Sequence, residues 1–85
     1  MITEMTLREL GFTQIDPTCW RCVLVGKAIH FRVHFGVTAE DERRLADCNT
    51  EDPTTQLHNH FDVNGDMMED PEFRALFQRW KGAHR

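Results

Sequence analysis

The residues able to do chemistry in this chain are a C-x-x-C pair, a set of histidines, two arginines and several clustered carboxylates. Cys19 and Cys22 have the spacing of zinc knuckles and thiol oxidoreductases, but their surroundings suit neither. A redox cysteine gains from a helix N-terminus that stabilises its thiolate, whereas β-formers surround this pair. Trp20-Arg21 also supplies no glycine for a knuckle turn. In a strand, residues three apart point to opposite faces. Cys22 is therefore expected in the core and Cys19 as an outward thiol beside His34. A cysteine–histidine pair invites a nucleophile–base reading, but no third group or oxyanion donor accompanies it. No stretch amounts to a catalytic signature, and no cofactor is called for.

The histidines suggest a metal site as one alternative. His58 and His60 are two apart, so in a strand they point the same way at about 6.6–6.8 Å. With His34 or Cys19 from a neighbouring strand they would make a tetrahedral set. The other reading is a polar sheet face that happens to use histidine. Arg21 and Arg32 form a second constellation. If they oppose each other across a hairpin, the like charges are destabilising, and something negative should lie beside them. One candidate is an internal carboxylate, Asp16 or an acid of the helix near residue 40. The other is an anionic group of a partner, which arginine grips bidentately. Asp62-Val-Asn-Gly-Asp66 starts like a calcium-binding loop of the EF-hand type, then departs. Met67 stands where the loop needs glycine, and Phe73 where it needs a carboxylate. A simple turn at Asn64-Gly65 explains the segment better.

These groups are positioned by a few elements. From Cys19 to Phe35, CWRCVLVGKAIHFRVHF alternates around Gly26-Lys27, a glycine-first two-residue turn of the II′ kind. That loop pairs Leu24 with Ile29, Cys22 with Phe31 and Trp20 with Val33 on an apolar face. Val23 with His30, Arg21 with Arg32 and Cys19 with His34 fall on the other. A slip by one residue would drive charged groups into the apolar row, so the register is strongly specified. A third strand near 55–63 places Leu57, Phe61 and Val63 inward and Gln56, His58, His60 and Asp62 outward.

A short helix from about Thr3 to Leu10 ends at Gly11. A polar helix spans about 39–48, with Thr38 and Asp41 at its start. The last helix, 71–81, carries Phe73, Leu76, Phe77 and Trp80 as one stripe. Asp70 is its expected cap, Pro71 its first residue and Gly82 its end. The expected fold is one compact α+β domain over residues 1–85, a small antiparallel sheet whose apolar face is covered by the C-terminal helix, helped by the first.

Composition narrows the function classes. The 85 residues carry 14 acids against 10 bases, a formal charge of −4, where a general nucleic-acid binder would show a basic surplus. Three cysteines cannot all pair within a monomer. Charged residues interrupt every apolar run, so neither a signal peptide nor a membrane span is expected, and the expected setting is a reducing cytoplasm. Acids gather in patches, with Glu51 and Asp52 in one and Asp62, Asp66 and Glu69 in another beside Met67 and Met68. These residues, with Arg21 and Arg32, are the expected partner-binding set.

The primary reading is a stand-alone protein-binding or inhibitor module. It would act by surface occupation on a protein with a basic, nucleic-acid-binding surface. In size and charge alone it is similar to small antagonists encoded by phages and mobile elements, anti-CRISPR proteins among them. The alternatives are a metal- or anion-binding protein using the His/Cys/Arg sheet face, and a structural subunit that buries the sheet's open side or edge against neighbours.

Overall fold

The computed structural model of the chain describes residues 1–24, 26, 29–48 and 60–84, with 44–48 described by backbone alone. The chain runs α1 (Glu4–Glu9), β1 (Thr13–Asp16), β2 (Cys19–Leu24), β3 (Ile29–His34), α2 (Ala39–Cys48), β4 (His60–Asn64) and α3 (Asp70–Ala83), with a single 3-10 turn over Gly65–Met67 before α3. The four strands form one sheet in the order β1-β2-β3-β4. It is an α+β fold, with one helix near each terminus. No helix among the described residues is long and apolar enough to cross a membrane.

The central hairpin has the register its alternation requires. Leu24 pairs with Ile29, Val23 with His30, Cys22 with Phe31, Arg21 with Arg32, Trp20 with Val33 and Cys19 with His34. Gly26 has φ +85°, a left-handed value open to a residue without a Cβ. The rest of the turn, Lys27 included, lies outside the described residues.

Two features of the sheet differ from the expectation. First, it is mixed. β4 lies parallel to β3, pairing His30 with His60, Arg32 with Asp62 and His34 with Asn64. A parallel return needs a crossover of a dozen residues or more, and the segment containing α2 is long enough to provide it. The first part of the expected third strand, 55–59 with Leu57 and His58, lies outside the described residues. Second, there is a fourth strand. β1 pairs antiparallel with β2, with an irregularity between Gln14 and Asp16, and all four of its side chains are exposed. A strand that buries nothing leaves no apolar alternation to read.

The core lies between the sheet and the two terminal helices. Trp20, Phe31, Val33, Phe61 and Val63 from the strands meet Leu7 of α1 and Phe73, Phe77 and Trp80 of α3. Phe31 is central: the rings of Phe12, Phe61, Phe73, Phe77 and Trp80 surround it at 5.3–5.9 Å between centroids. Such tilted and edge-on pairs each add about 0.5–1.5 kcal/mol beyond the area they bury.

The helix ends follow local chemistry. The Thr3 hydroxyl accepts from Thr6 N at 3.2 Å and caps α1. At the other end Phe12 N donates to Leu7 O at 2.8 Å and Gly11 N to Arg8 O at 3.1 Å. This is a Schellman pair, with Gly11 at φ +94° in the left-handed position. α3 is longer than its stripe suggests. Glu69 is its N-cap without a side-chain bond, Asp70 is its first residue, and Gly82 lies inside it. Asp70 instead accepts from the Thr6 hydroxyl at 2.7 Å and from Arg74 Nε at 2.7 Å, which ties α1 to α3.

Candidate functional site

The strand alternation that builds the core leaves the opposite sheet face to polar residues. On β2 it carries Cys19, Arg21 and Val23, on β3 His34, Arg32 and His30, and on β4 Asn64, Asp62 and His60. Asp62 sits in the middle of its row, only 2% exposed. Its Oδ1 accepts from Arg32 Nε at 2.6 Å and from His34 Nε2 at 2.8 Å. Its Oδ2 accepts from Arg32 Nη2 at 3.1 Å and from His60 Nδ1 at 2.5 Å. Four donors meet the roughly four lone-pair sites of an ionised carboxylate.

The register explains the convergence. Arg32 is directly opposite Asp62, His34 is its diagonal neighbour on β3, and His60 is two residues back on its own strand. An ionised carboxylate only accepts, so His34 Nε2 faces it as a donor. His60 Nδ1 lies within hydrogen-bond distance of both Asp62 Oδ2 and, at 3.0 Å, Arg32 Nη2. Burial alone would push the Asp62 carboxyl up. The hydrogen bonds from His34, Arg32 and His60, with the charge of Arg32, outweigh it and hold the group well below the usual carboxylate range.

The carboxylate beside Arg32 is thus internal, but it is neither of the expected candidates. The Asp16 side chain closes the turn before β2, accepting from Thr18 N at 2.8 Å. Asp62 itself belonged to the expected partner-binding acids. In this structure it is nearly fully buried, with its oxygens turned to Arg32, His34 and His60. Cys19 is opposite His34 as expected but is not an outward thiol. It is 4% exposed, its Sγ is 3.8 Å from Trp20 O, and burial pushes its proton affinity up, which leaves it protonated and a poor nucleophile.

Of the residues expected to share a metal, Cys19, His34 and His60 are described, and no metal-holding group of three is present among the described residues. His34 and His60 both turn a ring nitrogen to Asp62, with the Arg32 cation between them, and His58 lies outside the described residues.

Arg21 is half-buried and makes no hydrogen bond or ion pair among the described residues. Its direct neighbour Arg32 has its charge met by Asp62. His30, beside them, has its proton affinity lowered by burial and by the charges of Arg21, Arg32 and His60.

Asp66, Met67, Met68 and Glu69, also of the expected partner-binding set, lie at the turn from β4 into α3. Asp66 Oδ2 accepts from Val37 N at 3.2 Å. Met68 packs against the core, Met67 is 71% exposed, and Glu69 contacts the Met1 amino group. Glu51 and Asp52 lie outside the described residues. Sequence reasoning missed Met1 and Met5, which are 81% and 78% exposed beside this turn or on α1. The signal was available: Met5 is flanked by Glu4 and Thr6 in a helix whose buried residues are Thr6 and Leu7. No protein-family model, curated protein or solved structure matches the chain.

Proposed function

We propose that this chain is a protein-binding module that works by occupying a partner's surface through its methionine-bearing end. The observation that carries the reading is the identity of the apolar side chains left in water. Among the described residues, the exposed large apolar side chains are Met1, Met5, Met67, Ile15 and Val23, so methionine supplies most of them. Unbranched, polarisable methionine adapts to varied surfaces and is over-used at binding faces.

Two bonds hold the scaffold of this end together. Thr6 donates to Asp70, joining the first turns of α1 and α3, and Arg74 donates to Glu9 at 2.8 Å. Around the methionines Glu4, Glu9, Asp66, Glu69 and Glu72 outnumber Arg8 and Arg74. This balance favours a partner with a basic rim around an apolar centre, a pattern found on nucleic-acid-binding proteins. Charge complementarity there would speed association and select the partner.

The test is affinity capture of an identified partner by the parent chain and by a Met5→Lys/Met67→Lys variant. Both positions are exposed, so the variant should fold. Binding is expected to fall by at least about tenfold, or 1.4 kcal/mol, and parent binding should weaken as salt rises. Equal binding by parent and variant would rule out this surface.

A further inference from the structure

We propose that Arg21 and His30, on the polar sheet face, form a binding site for a phosphate dianion, either free or as the head of a small monoester. The first ground is an unbalanced charge. Arg21 stands directly opposite Arg32, and the carboxylate on their row, Asp62, is engaged by Arg32, His34 and His60. Arg21 is left half-buried without a counter-ion among the described residues, although the chain has more acids than bases. Like charges so opposed destabilise a sheet unless an anion joins them.

The second ground is the make-up of the neighbourhood. Thr13 on β1 faces Arg21, Val23 on β2 faces His30, and His60 on β4 flanks His30 from the other side. Apart from Arg21 itself, every one of these is neutral or an imidazole. Burial first, and then the charges of Arg21, Arg32 and His60, lower the hold of His30 on its proton, so cationic groups reach this ring from both neighbouring strands.

The third ground is ligand shape. The arginine fork engages two oxygens, and His30, diagonal to Arg21 at about 7–8 Å between backbone positions, needs a third. A carboxylate has no third oxygen; a phosphate does. The site shares no residue with the methionine face, so either proposal can fail alone.

The experiment is calorimetric titration of the full chain at about pH 7.5, where phosphate monoesters are mostly dianionic. Inorganic phosphate and phenyl phosphate are the two ligands, and sodium chloride of matched ionic strength is the control. NMR signals of the Arg21 side chain and the His30 ring report location. Saturable binding of either phosphate that moves both signals supports the site. The stronger of the two ligands distinguishes the free ion from a monoester.

Arg21→Gln relieves the Arg21–Arg32 opposition and so should fold. It is expected to weaken binding by about tenfold or more, with Arg21→Lys falling between because it keeps charge without the fork. No saturable response, an equal response to chloride, or undiminished binding by Arg21→Gln would each overturn the proposal.

Discussion

The apolar and polar faces of this sheet are made from alternate residues of the same strands, and they are held together in different ways. On the apolar face stabilisation is distributed. Phe31 meets five other rings, and Trp20, Val33, Phe61 and Val63 extend the packed surface around it. On the polar face it is concentrated, because Arg32, His34 and His60 all point at Asp62. Apolar burial is non-directional and roughly additive in area. A buried carboxylate is tolerated only while its partners stay in place. The contrast teaches that tolerance to change on one sheet depends on which side of the backbone a residue lies.

The contrast can be broken or sharpened by substitution. Phe31→Ala should have the largest effect, a loss of about 4 kcal/mol. That is a large share of the total of about 5–15 kcal/mol expected for a small domain. Urea unfolding followed by tryptophan fluorescence measures it, and a loss under about 2 kcal/mol would show that the ring cluster closes around the gap.

Asp62→Asn is expected to cost about 3 kcal/mol near neutral pH, because it leaves Arg32 and two imidazoles facing a neutral amide. The parent should also show an acid dependence. The folded-state Asp62 carboxyl lies below its unfolded value, so its contribution is present in full above about pH 5 and is lost as pH falls through the acid range. Urea midpoints across that range should fall less steeply for Asp62→Asn than for the parent. Parallel slopes would remove Asp62 as the hub of the polar face.

Gly65→Ala comes next, at about 2 kcal/mol, a typical cost of overpacking. A Cβ there would lie 2.5 Å and 2.8 Å from Phe35 ring carbons and 2.8 Å from Val33 Cγ1. A melting temperature equal to the parent's would mean that Phe35 swings aside freely. Thr3→Ala is the smallest change. It removes the α1 cap and should cost about 1 kcal/mol, as a modest drop in urea midpoint with the sheet's amide signals unmoved.

Much of this architecture was legible because alternation and helical spacing are local properties. The hairpin register follows from one glycine-centred turn and two strands whose apolar sets coincide in only one alignment. The stripe Phe73, Leu76, Phe77 and Trp80 likewise places α3 on the core. What escaped reading depends on contacts far apart in the chain. Thr13-Gln14-Ile15-Asp16 buries no side chain, so its pairing with β2 leaves no pattern.

The parallel placement of β4 is decided by how its crossover returns, which alternation within β4 does not record. That placement also sets the role of Asp62. Which β4 residue stands beside Arg32 is set by the register between two strands far apart in the chain, so the hub of the polar face could not be recognised from the types and spacing of its members. The need for a carboxylate beside the opposed arginines was readable. Its identity was not.

One consequence concerns the irregularity in β1. This strand is the sheet's outer margin on the hairpin side, and its side chains all face water. A straight outer strand offers an incoming copy a continuous ladder of amide donors and acceptors. Here the pairing shifts between Gln14 and Asp16, and Pro17, which lacks an amide hydrogen, follows directly. The template is cut to two residues, too short to seed a growing fibre. Sheet-to-sheet polymerisation should therefore be suppressed from this margin without any guarding lysine.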